Sequence, residues 1–306
     1  MVNFHIEPTS KCTLECPLCD RTWFYKKFKR RNLHEINVDQ IVKFVGVNQQ
    51  VSMCGNNGDP IYHSEFLELC KKFKDNNCIL KVHTNGSGKT KAWWEKLNKI
   101  LTKEDAIYFA IDGLEDTNHL YRKNAKWHSI MTAVETFKNR ECKMIWRFIL
   151  FKHNQHQIAQ ARKRSKELSF DRFKIIKSDR WLDNKELMPD KEYVASHYEH
   201  KKTVLVDDKY EKEMFPVCIK NNVPSNELYI DAEGDFYPCC WMGSHRWKYK
   251  SVFSPKKPKA FNIKDNTLDQ ILENDSIKNF FNSTKQFTSA HKCCKIQCGG
   301  KDGGLQ

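Results

Sequence analysis

The sequence contains no long apolar run. The mean hydropathy of its 306 residues is −0.71, and no stretch approaches the roughly 18 consecutive apolar residues that a membrane-spanning helix needs. The first residues, MVNFHIEPTSKC, do not place a basic segment before an apolar one, so they do not form a secretory signal. We therefore expect a cytoplasmic protein with no membrane partner. Internal repeats are also absent, and the length suffices for one large α/β domain with a smaller appendage.

Cysteine, by contrast, is abundant, with 13 residues. In a protein without an export signal, this number favours metal binding or catalysis over a disulfide framework. We expect Cys70 and Cys78, which flank a lysine-rich helix end, to be small buried hydrophobic side chains. Four cysteines stand apart from any cluster and are assigned no chemistry: Cys54, Cys70, Cys78 and Cys142.

Basic side chains outnumber acidic ones by 52 to 38, which gives a formal net charge of +14. They concentrate in residues 25–31, 161–168 and 245–259. Such a field attracts polyanions, namely nucleic acid, phosphorylated metabolites or acidic protein surfaces. A solvated basic surface explains the same runs, so the charge alone does not choose a partner.

Short β-rich segments alternate with helical patterns over the first two thirds of the chain. Strands are predicted at 2–7, 50–54, 79–84, 106–112, 144–151 and 172–177. Helices are predicted between them at 37–47, 64–76, 90–101, 128–139 and 155–168. This alternation predicts an α/β fold, either a parallel sheet or a barrel, with the helices outside. We take a partial (β/α)6 parallel barrel as the expected fold. Function in parallel α/β folds gathers at the carboxyl ends of the strands.

The remaining third of the chain has a different pattern. A polar connector at 181–215 precedes ELYIDAEGDFYPCC, in which LYI and DFYP flank the turn DAEG and predict a hairpin. A helix is predicted near 267–282, with Thr267 as its N-cap. We therefore divide the chain into a barrel domain of residues 1–200 and a small cysteine-rich α+β extension of residues 201–306.

The loop after the first predicted strand carries the spacing C-x3-C-x2-C, formed by Cys12, Cys16 and Cys19. Structural zinc sites use four ligands, and the nearest further candidates are His5, within a strand, and His34. Three thiolates can instead hold three irons of a [4Fe-4S] cluster and leave the fourth iron open for a substrate or cofactor. The motif therefore favours an open iron–sulfur site over a closed zinc site.

This motif resembles the signature of the radical S-adenosylmethionine (SAM) superfamily. GNNGDPIYHSEF (55–66) resembles that family's glycine-rich motif, whose loop approaches the SAM amino group closely. HTNG (83–86) and AIDG (110–113) also resemble family positions. The resemblance implies that the SAM-binding residues are Leu18, Gly58, Asp59, Pro60, Thr84, Asn85 and Arg147.

Several positions depart from the family pattern. Asp59 replaces a glutamate, and its shorter carboxylate favours a backbone contact with SAM over a side-chain contact. Ala110 lacks a hydroxyl that often meets the SAM carboxylate, so the guanidinium of Arg147 is the expected partner, with a surface salt bridge as the alternative. Leu18 replaces an aromatic side chain and would contact adenine without stacking. For Arg122, substrate contact and a capping or surface role are both open.

The C-terminal cysteines resemble a second family pattern. Cys218, Gly234 and Cys239 have the spacing C-x15-G-x4-C, which resembles the opening of the SPASM extension or its shorter twitch form. These extensions carry auxiliary iron–sulfur clusters, and the cysteine count here fits the one-cluster twitch form better. The implied cluster ligands are Cys218, Cys239, Cys294 and Cys298.

Neighbouring thiols leave alternatives within this set. Cys293 could replace Cys294, and Cys240 is expected to be spare. A zinc ribbon with four cysteines is a further alternative, although its usual pairs of C-x2-C are absent here.

The resemblance implies an oxidoreductase of the radical SAM type with two [4Fe-4S] clusters. Reductive cleavage of SAM would give a 5′-deoxyadenosyl radical that abstracts a hydrogen atom from a peptide or protein, and the cofactors carry this chemistry. No residue of the chain is assigned as catalytic. The expected partners are the peptide, protein or acidic small-molecule substrate and a flavodoxin- or ferredoxin-like electron donor.

Two other functions remain open. Within the family, RNA or a nucleotide or sugar metabolite is an alternative substrate. Because the first strand begins at residue 2, we expect no peptide-recognition domain before it, which argues against a leader-dependent peptide maturase. Outside the family, a zinc-stabilised basic nucleic-acid-binding protein would explain the charge but not the GNNGDP, TNG and IDG elements at successive strand ends. Metal content would separate the two classes.

Overall fold

The computed structural model describes residues 1–29, 33–178, 184–194, 203–204, 213–216, 218–220, 223–224, 226–244 and 261–299. The basic run at 245–259 lies outside the described residues, and so does most of the predicted connector at 181–215. None of the helices in the described ranges has the length and apolar character that crossing a membrane requires.

An eight-stranded sheet organises the chain, in the order β10-β9-β1-β2-β3-β4-β5-β6. A separate pair, β7 and β8, is antiparallel. The first six strands run parallel in sequence order, and each lies within two residues of its predicted bounds. The sheet is open between its edge strands β6 and β10, so the predicted partial barrel is confirmed. The strands are β1 (Asn3–Ile6), β2 (Gln50–Met53), β3 (Ile79–Thr84), β4 (Ala106–Ala110), β5 (Lys143–Ile149), β6 (Arg172–Ile176), β7 (Ile219–Lys220), β8 (Val223–Pro224), β9 (Leu228–Ile230) and β10 (Phe236–Tyr237).

Helices follow the parallel strands, and four of those described bury a clear apolar face. In α2 the side chain of Asn37 caps the helix by accepting a hydrogen bond from the backbone N–H of Gln40 at 3.0 Å. Val38, Ile41 and Val45 are buried at helical spacing. The described helices are α1 (Asp20–Phe28), α2 (Val38–Val45), α3 (Phe66–Asp75), α4 (Lys91–Ile100), α5 (Asn118–Tyr121), α6 (Trp127–Thr136), α7 (Ile158–Glu167), α8 (Leu268–Glu273), α9 (Asp275–Ser283) and α10 (Lys292–Cys298).

The alternation of side chains along the strands separates the core from the site. Phe109 of β4 is fully buried and packs edge-on or tilted against core rings such as Trp94 of α4. Its neighbour Tyr108 points to the opposite face of the sheet, as do His83 of β3 and Arg147 of β5, and these three side chains line a cavity. The strand period therefore places apolar residues under the helices and polar residues in the barrel interior.

Isolated cysteines contribute to the core. Cys70, Cys78 and Cys142 are at most 2% exposed and pack in the main hydrophobic cluster, so the prediction for Cys70 and Cys78 is confirmed. Cys54 differs, because it lines the cavity and its sulfur lies 3.1 Å from Nε2 of His5.

The C-terminal hairpin is confirmed and joins the barrel sheet directly. Strand β9 pairs in parallel with β1, with His5 opposite Tyr229, and β10 returns antiparallel to β9. The turn between them uses Gly234 at φ +82°, a left-handed conformation that favours glycine. The extension therefore adds two further strands to the barrel sheet beside β1.

The prediction of a single helix near 267–282 is wrong, because the chain forms two helices there. Thr267 caps α8 as predicted, in a reciprocal capping box with Gln270. Asn274 then adopts φ −64° and ψ 131°, which ends α8, and its side chain accepts a hydrogen bond from the N–H of Ser276 to begin α9. An asparagine that caps the next helix competes with helix continuation.

Helix α1 is not predicted by the sequence pattern. It starts directly after Cys19 and ends at Lys29, which has a left-handed φ of 54°. The helix buries Phe24 and leaves Tyr25 and Phe28 exposed. Since its sequence DRTWFYKKF has no clear apolar stripe, the segment is recognisable in the sequence only as part of a basic run.

The buried carboxylate of Asp105 yields a stability prediction at the amino end of the sheet. It lies 2.8 Å from Nζ of Lys74 and accepts hydrogen bonds from the backbone N–H groups of Leu80 and Thr102, both at 2.7 Å. We expect Asp105→Ala to lower the free energy of unfolding by about 3 kcal/mol, because it leaves these donors unpaired. Urea unfolding of the metal-free chain measures this change.

A matched control is Asp39→Ala, which also removes an aspartate paired with a lysine. Asp39 is 79% exposed in its pair with Lys72, so this variant should lose about 0.5 kcal/mol or less. If both variants lost the same free energy of unfolding, burial would not be the reason for the importance of Asp105.

Candidate active site

The three cysteines of the first motif face one space. Cys12, Cys16 and Cys19 lie in the loop between β1 and α1, and all three line a cavity of about 520 Å³. The backbone N–H of Cys19 donates to the carbonyl oxygen of Cys16 at 3.1 Å, and the N–H of Leu14 lies 3.4 Å from Sγ of Cys12. The structure therefore brings together the three thiols predicted from their spacing.

The electrostatics of this loop fit a bound cationic cluster. Burial raises the pKa of Cys12 to about 12 and that of Cys16 to about 11, although the Arg122 guanidinium partly offsets the effect at Cys16. Buried thiols of this kind stay protonated unless a positive charge arrives to hold them as thiolates. Three thiols on one cavity match in number and chemistry the three ligands that a cubane cluster with one open iron needs, so the residue types present fit that group. Among the described residues, no three metal-ligating side chains are already arranged around a common metal position.

The glycine-rich loop, residues 55–60, packs directly on the cysteine loop. A Cβ added at Gly58 would lie 1.8 Å from the carbonyl oxygen of Thr9, so a side chain at this position would collide with backbone. The N–H of Asp59 donates to the carbonyl oxygen of Lys11 at 2.9 Å. Only glycine permits this close approach of the two loops.

Asp59 links the loops that follow β2 and β3. Its Oδ2 accepts hydrogen bonds from the N–H and the side-chain amide of Asn85, at 2.7 and 2.6 Å, and from the hydroxyl of Thr84 at 3.1 Å. Its Oδ1 lies 3.3 Å from the N–H of Ile61. Because both oxygens bind within the protein, this geometry agrees with a backbone rather than a side-chain contact to a ligand ammonium.

Arg147 is held in the cavity by a neutral histidine. Its Nη1 lies 3.1 Å from Nδ1 of His83, whose Nε2 lies 3.3 Å from Oγ of Ser52. Burial and the neighbouring Arg147 charge lower the pKa of His83 well below its ordinary value, so the neutral ring accepts from Arg147. The ring also stacks on Tyr108 at 4.2 Å. The surface salt bridge considered for Arg147 is not found among the described residues.

Arg122 is a second guanidinium that lines the cavity. Its Nε lies 2.7 Å from Oδ2 of Asp112, which is fully buried, and Oδ1 of Asp112 accepts from the N–H of Ile149 at 2.7 Å. The side chain of Arg122 is 16% exposed. The surface role considered for Arg122 is therefore wrong. The capping role is confirmed, because Arg122 is the C-cap of α5 and its backbone N–H donates to the carbonyl oxygen of Asn118 at 2.9 Å. Substrate contact stays a prediction.

The predicted SAM-binding residues converge, with one exception. Pro60 is buried at the start of a short 3-10 turn, Pro60–Tyr62, and does not line the cavity. The six predicted residues that do line it are Leu18, Gly58, Asp59, Thr84, Asn85 and Arg147.

Sequence reasoning missed the wall that the C-terminal extension contributes. Ser244 donates a hydrogen bond from its hydroxyl to the carboxylate of Asp20, and the side-chain amide of Asn56 donates to the carbonyl oxygen of Cys240 at 2.8 Å. No short sequence motif identifies these residues, because only the tertiary fold brings them to the cavity. The residues of this wall are Trp241, Ser244, Ile296 and Gln297.

The sequence analysis also did not identify Glu7, a buried carboxylate beside the glycine-rich loop. It lies one residue past β1, is 1% exposed, and accepts hydrogen bonds from the N–H groups of Asn57 and Gly58 at 2.5 and 2.7 Å. A glutamate at the carboxyl end of a buried strand, in VNFHIE, is the sequence signal that could have identified it.

The C-terminal thiols form a second group, in which Cys218, Cys294 and Cys298 are buried and Cys239 is partly buried. The pKa of Cys239 is held well above its ordinary value by burial and then by the neighbouring thiols, of which Cys218 acts most strongly. Burial likewise raises the pKa of Cys294, together with Cys298 and Cys218. Cys294 and Cys298 lie one turn apart on α10, whereas Cys293 is offset from this spacing.

The Radical SAM superfamily model matches residues 6–164, which is more than half of the chain and includes the cysteine loop. The chain belongs to the radical SAM superfamily. A second family model, an iron–sulfur cluster-binding domain called SPASM, matches residues 218–299. The predicted family is therefore confirmed, and [4Fe-4S] clusters and SAM are the cofactors of this radical SAM enzyme. No curated protein matched the chain.

Solved structures share its fold. Native anSMEcpe with bound AdoMet and Cp18Cys peptide is 16% identical, with a TM-score of 0.57 over 99% of this chain and 92% of that one. SuiB from Streptococcus suis is 15% identical, with a TM-score of 0.63 over 98% of this chain and 72% of that one. SuiB bound to its precursor peptide SuiA is 14% identical, with the same TM-score over 98% and 71% of the two chains.

The buried carboxylate of Asp59 predicts a pH-dependent stability. Burial raises its pKa to about 6, against about 3.9 for an unfolded aspartate. Between these values the native state holds a proton that the unfolded chain has released, so stability falls as pH rises through the window. The wild type should lose up to about 3 kcal/mol relative to Asp59→Asn between about pH 4 and pH 7.

Urea unfolding of the metal-free wild type and Asp59→Asn at both pH values measures the difference. Asp39→Asn is the matched control, because Asp39 is exposed. The difference in free energy of unfolding between this variant and the wild type should be nearly the same at both pH values. A pH-independent difference for Asp59→Asn would contradict the raised pKa.

Proposed function

We propose that this radical SAM enzyme abstracts a hydrogen atom from a peptide or protein substrate. In this proposal the first motif holds the cluster that meets SAM, and the second group of thiols holds an auxiliary [4Fe-4S] cluster. The proposed ligands are Cys12, Cys16 and Cys19 for the first cluster, and Cys218, Cys239, Cys294 and Cys298 for the second.

The proposal rests on one observation: the barrel and the C-terminal extension both contribute residues that line the same cavity. Cys12, Asp59 and Arg147 line it from the barrel, and Trp241 and Gln297 line it from the extension. A substrate held against the extension would face SAM held at the strand ends. The volume of about 520 Å³ is typical of sites that enclose small ligands.

Each wall residue has a binding or positioning role in the proposal. When bound, the cluster and SAM would supply the radical chemistry that removes a hydrogen atom from the substrate. Arg147, oriented by neutral His83, would hold the SAM carboxylate through its guanidinium. The carbonyl groups of the glycine-rich loop would accept hydrogen bonds from the SAM ammonium, and Leu18 would contact the adenine. The buried walls exclude water from the reacting carbon.

Two comparisons support a polypeptide substrate. The anSMEcpe structure holds a bound Cp18Cys peptide, and one SuiB structure holds the precursor peptide SuiA. In this chain, Gln297 brings a side-chain amide to the cavity and Trp241 an indole. An amide has both a donor and an acceptor for peptide groups, and an indole offers an apolar face.

The domain division and the electron source belong to the same proposal. The boundary between residues 1–200 and residues 201–306 is supported by the matched ranges 6–164 and 218–299. A flavodoxin- or ferredoxin-like donor remains the predicted source of the electron. The net charge of +14 would favour an acidic docking surface on that donor.

Metal content tests the two cluster sites. After anaerobic reconstitution the wild type should hold about eight irons per chain, and a triple Cys12/Cys16/Cys19→Ala variant about four, the contents of two cubes and one. A Cys70/Cys78/Cys142→Ala variant removes three core thiols and should retain the wild-type iron. Stoichiometric zinc with negligible iron would contradict the proposal, and about four irons falling to none would remove the auxiliary cluster.

Substrate class is tested by SAM cleavage. We expect a macromolecular extract fraction to raise the rate of 5′-deoxyadenosine release by about tenfold, which corresponds to about 1.4 kcal/mol in activation free energy. Protease treatment of that fraction should abolish the stimulation, and ribonuclease should not. The reverse pattern would replace the peptide proposal with the RNA alternative.

A further inference from the structure

Glu7 is a buried carboxylate to which the proposed mechanism gives no task. It follows β1, is 1% exposed, and its Oε1 accepts hydrogen bonds from the backbone N–H groups of Asn57 and Gly58. The side-chain amide of Asn57 lies 3.4 Å from Oε2. A Cβ at Gly55 would lie 2.4 Å from Oε1, so a side chain at this position would displace the carboxylate from its present place.

These bonds determine which way the loop presents its carbonyl groups. The described chain contains no cis peptide bond, and in a trans peptide the C=O points opposite to the N–H. Since the N–H groups of Asn57 and Gly58 point at Glu7, the carbonyl groups of Asn56 and Asn57 point away from it. The carbonyl oxygen of Asn56 accordingly lies 3.6 Å from Sγ of Cys19, on the cavity side. Glu7 thus turns the loop's acceptors toward the place where an ammonium would bind.

The other oxygen of Glu7 is held by the C-terminal hairpin. The hydroxyl of Tyr229 donates to Oε2 at 2.5 Å, and the N–H of Glu7 donates to the carbonyl oxygen of Ile230 at 2.9 Å. The Tyr229 ring is fully buried and lies edge-on to His5 at 5.0 Å. A Cβ at Gly243 would lie 2.3 Å from that ring, so the ring position is tightly enclosed.

We propose that Glu7 and Tyr229 are positioning residues that make the SAM-binding geometry of the glycine-rich loop depend on docking of the C-terminal hairpin. The inference rests on the proposed function for the ligand, but its structural part stands on the chain alone. The hairpin precedes Cys239, and the carbonyl oxygen of Cys240 holds the Asn56 amide. The extension therefore reaches the glycine-rich loop directly through Cys240 and indirectly through Tyr229 and Glu7. Coupling between hairpin docking and SAM binding must be reciprocal.

The test compares two phenylalanine substitutions in the same hairpin. Tyr229→Phe removes the hydroxyl that reaches Glu7. Tyr237→Phe is the matched control, because Tyr237 is equally buried and pairs with Tyr229 across the hairpin. The readouts are amide exchange of residues 55–59 in the metal-free full chain, iron content, and the SAM dissociation constant of the reconstituted protein.

We expect Tyr229→Phe to speed exchange at residues 55–59 and to weaken SAM binding, each by about tenfold, while iron content stays at the wild-type value. Tyr237→Phe should change neither loop exchange nor SAM affinity. SAM should also slow exchange of β9 and β10 in the wild type, and less so in Tyr229→Phe. This reciprocal effect would not arise if Tyr229 only added stability.

The inference is wrong if Tyr229→Phe keeps the wild-type exchange rates at residues 55–59 and the wild-type SAM affinity. It is also wrong if Tyr229→Phe and Tyr237→Phe change these two quantities equally. If Tyr229→Phe fails to fold, Glu7→Gln carries the same test, since it keeps the size of the side chain and the tyrosine hydroxyl. If the wild type itself does not bind SAM, the proposed function fails, and the exchange comparison still decides whether the hairpin orders the loop.

Discussion

The loops that follow β1, β2 and β3 are joined by two buried carboxylates, Glu7 and Asp59. Glu7 ties the glycine-rich loop to the end of β1, and Asp59 ties it to Thr84 and Asn85 after β3. Each carboxylate satisfies several donors, and a donor left unpaired in the interior is costly. The chain can therefore hold these three loops in place before any ligand arrives, which would reduce the ordering cost of binding.

The parallel register of the sheet gives these loops a common location. Because all six barrel strands end at one edge, the cysteine loop, the glycine-rich loop and Arg147 meet there, while the opposite edge carries the stabilising network of Asp105. The hairpin added at β1 then brings the extension over the same edge. The two groups of thiols have different electrostatic surroundings. The Arg122 guanidinium partly offsets the effect of burial on the pKa of Cys16, whereas neighbouring thiols raise the pKa of Cys239 further.

Much of this fold followed from local pattern, and the unpredicted parts depend on contacts between distant segments. The six strands and the Thr267 cap were predictable because apolar alternation and capping chemistry are local. Helix α1 lacks an apolar stripe, and the break at Asn274 depends on a side chain that caps the next helix, so neither was predicted. The extension wall and the pairing of Glu7 with the hairpin join residues more than 180 positions apart, a relation that no spacing rule reveals.

Electron paramagnetic resonance of the reduced, reconstituted enzyme tests the central claim most directly, because it observes each cluster and its ligand sphere. We predict signals from two [4Fe-4S] clusters. SAM should shift one of them, and that one should be absent when Cys12, Cys16 and Cys19 are alanine. Its companion signal should remain unshifted by SAM and survive the triple substitution. A spectrum that SAM leaves unchanged in the fully loaded wild type would contradict the assignment of the open cluster to the loop after β1.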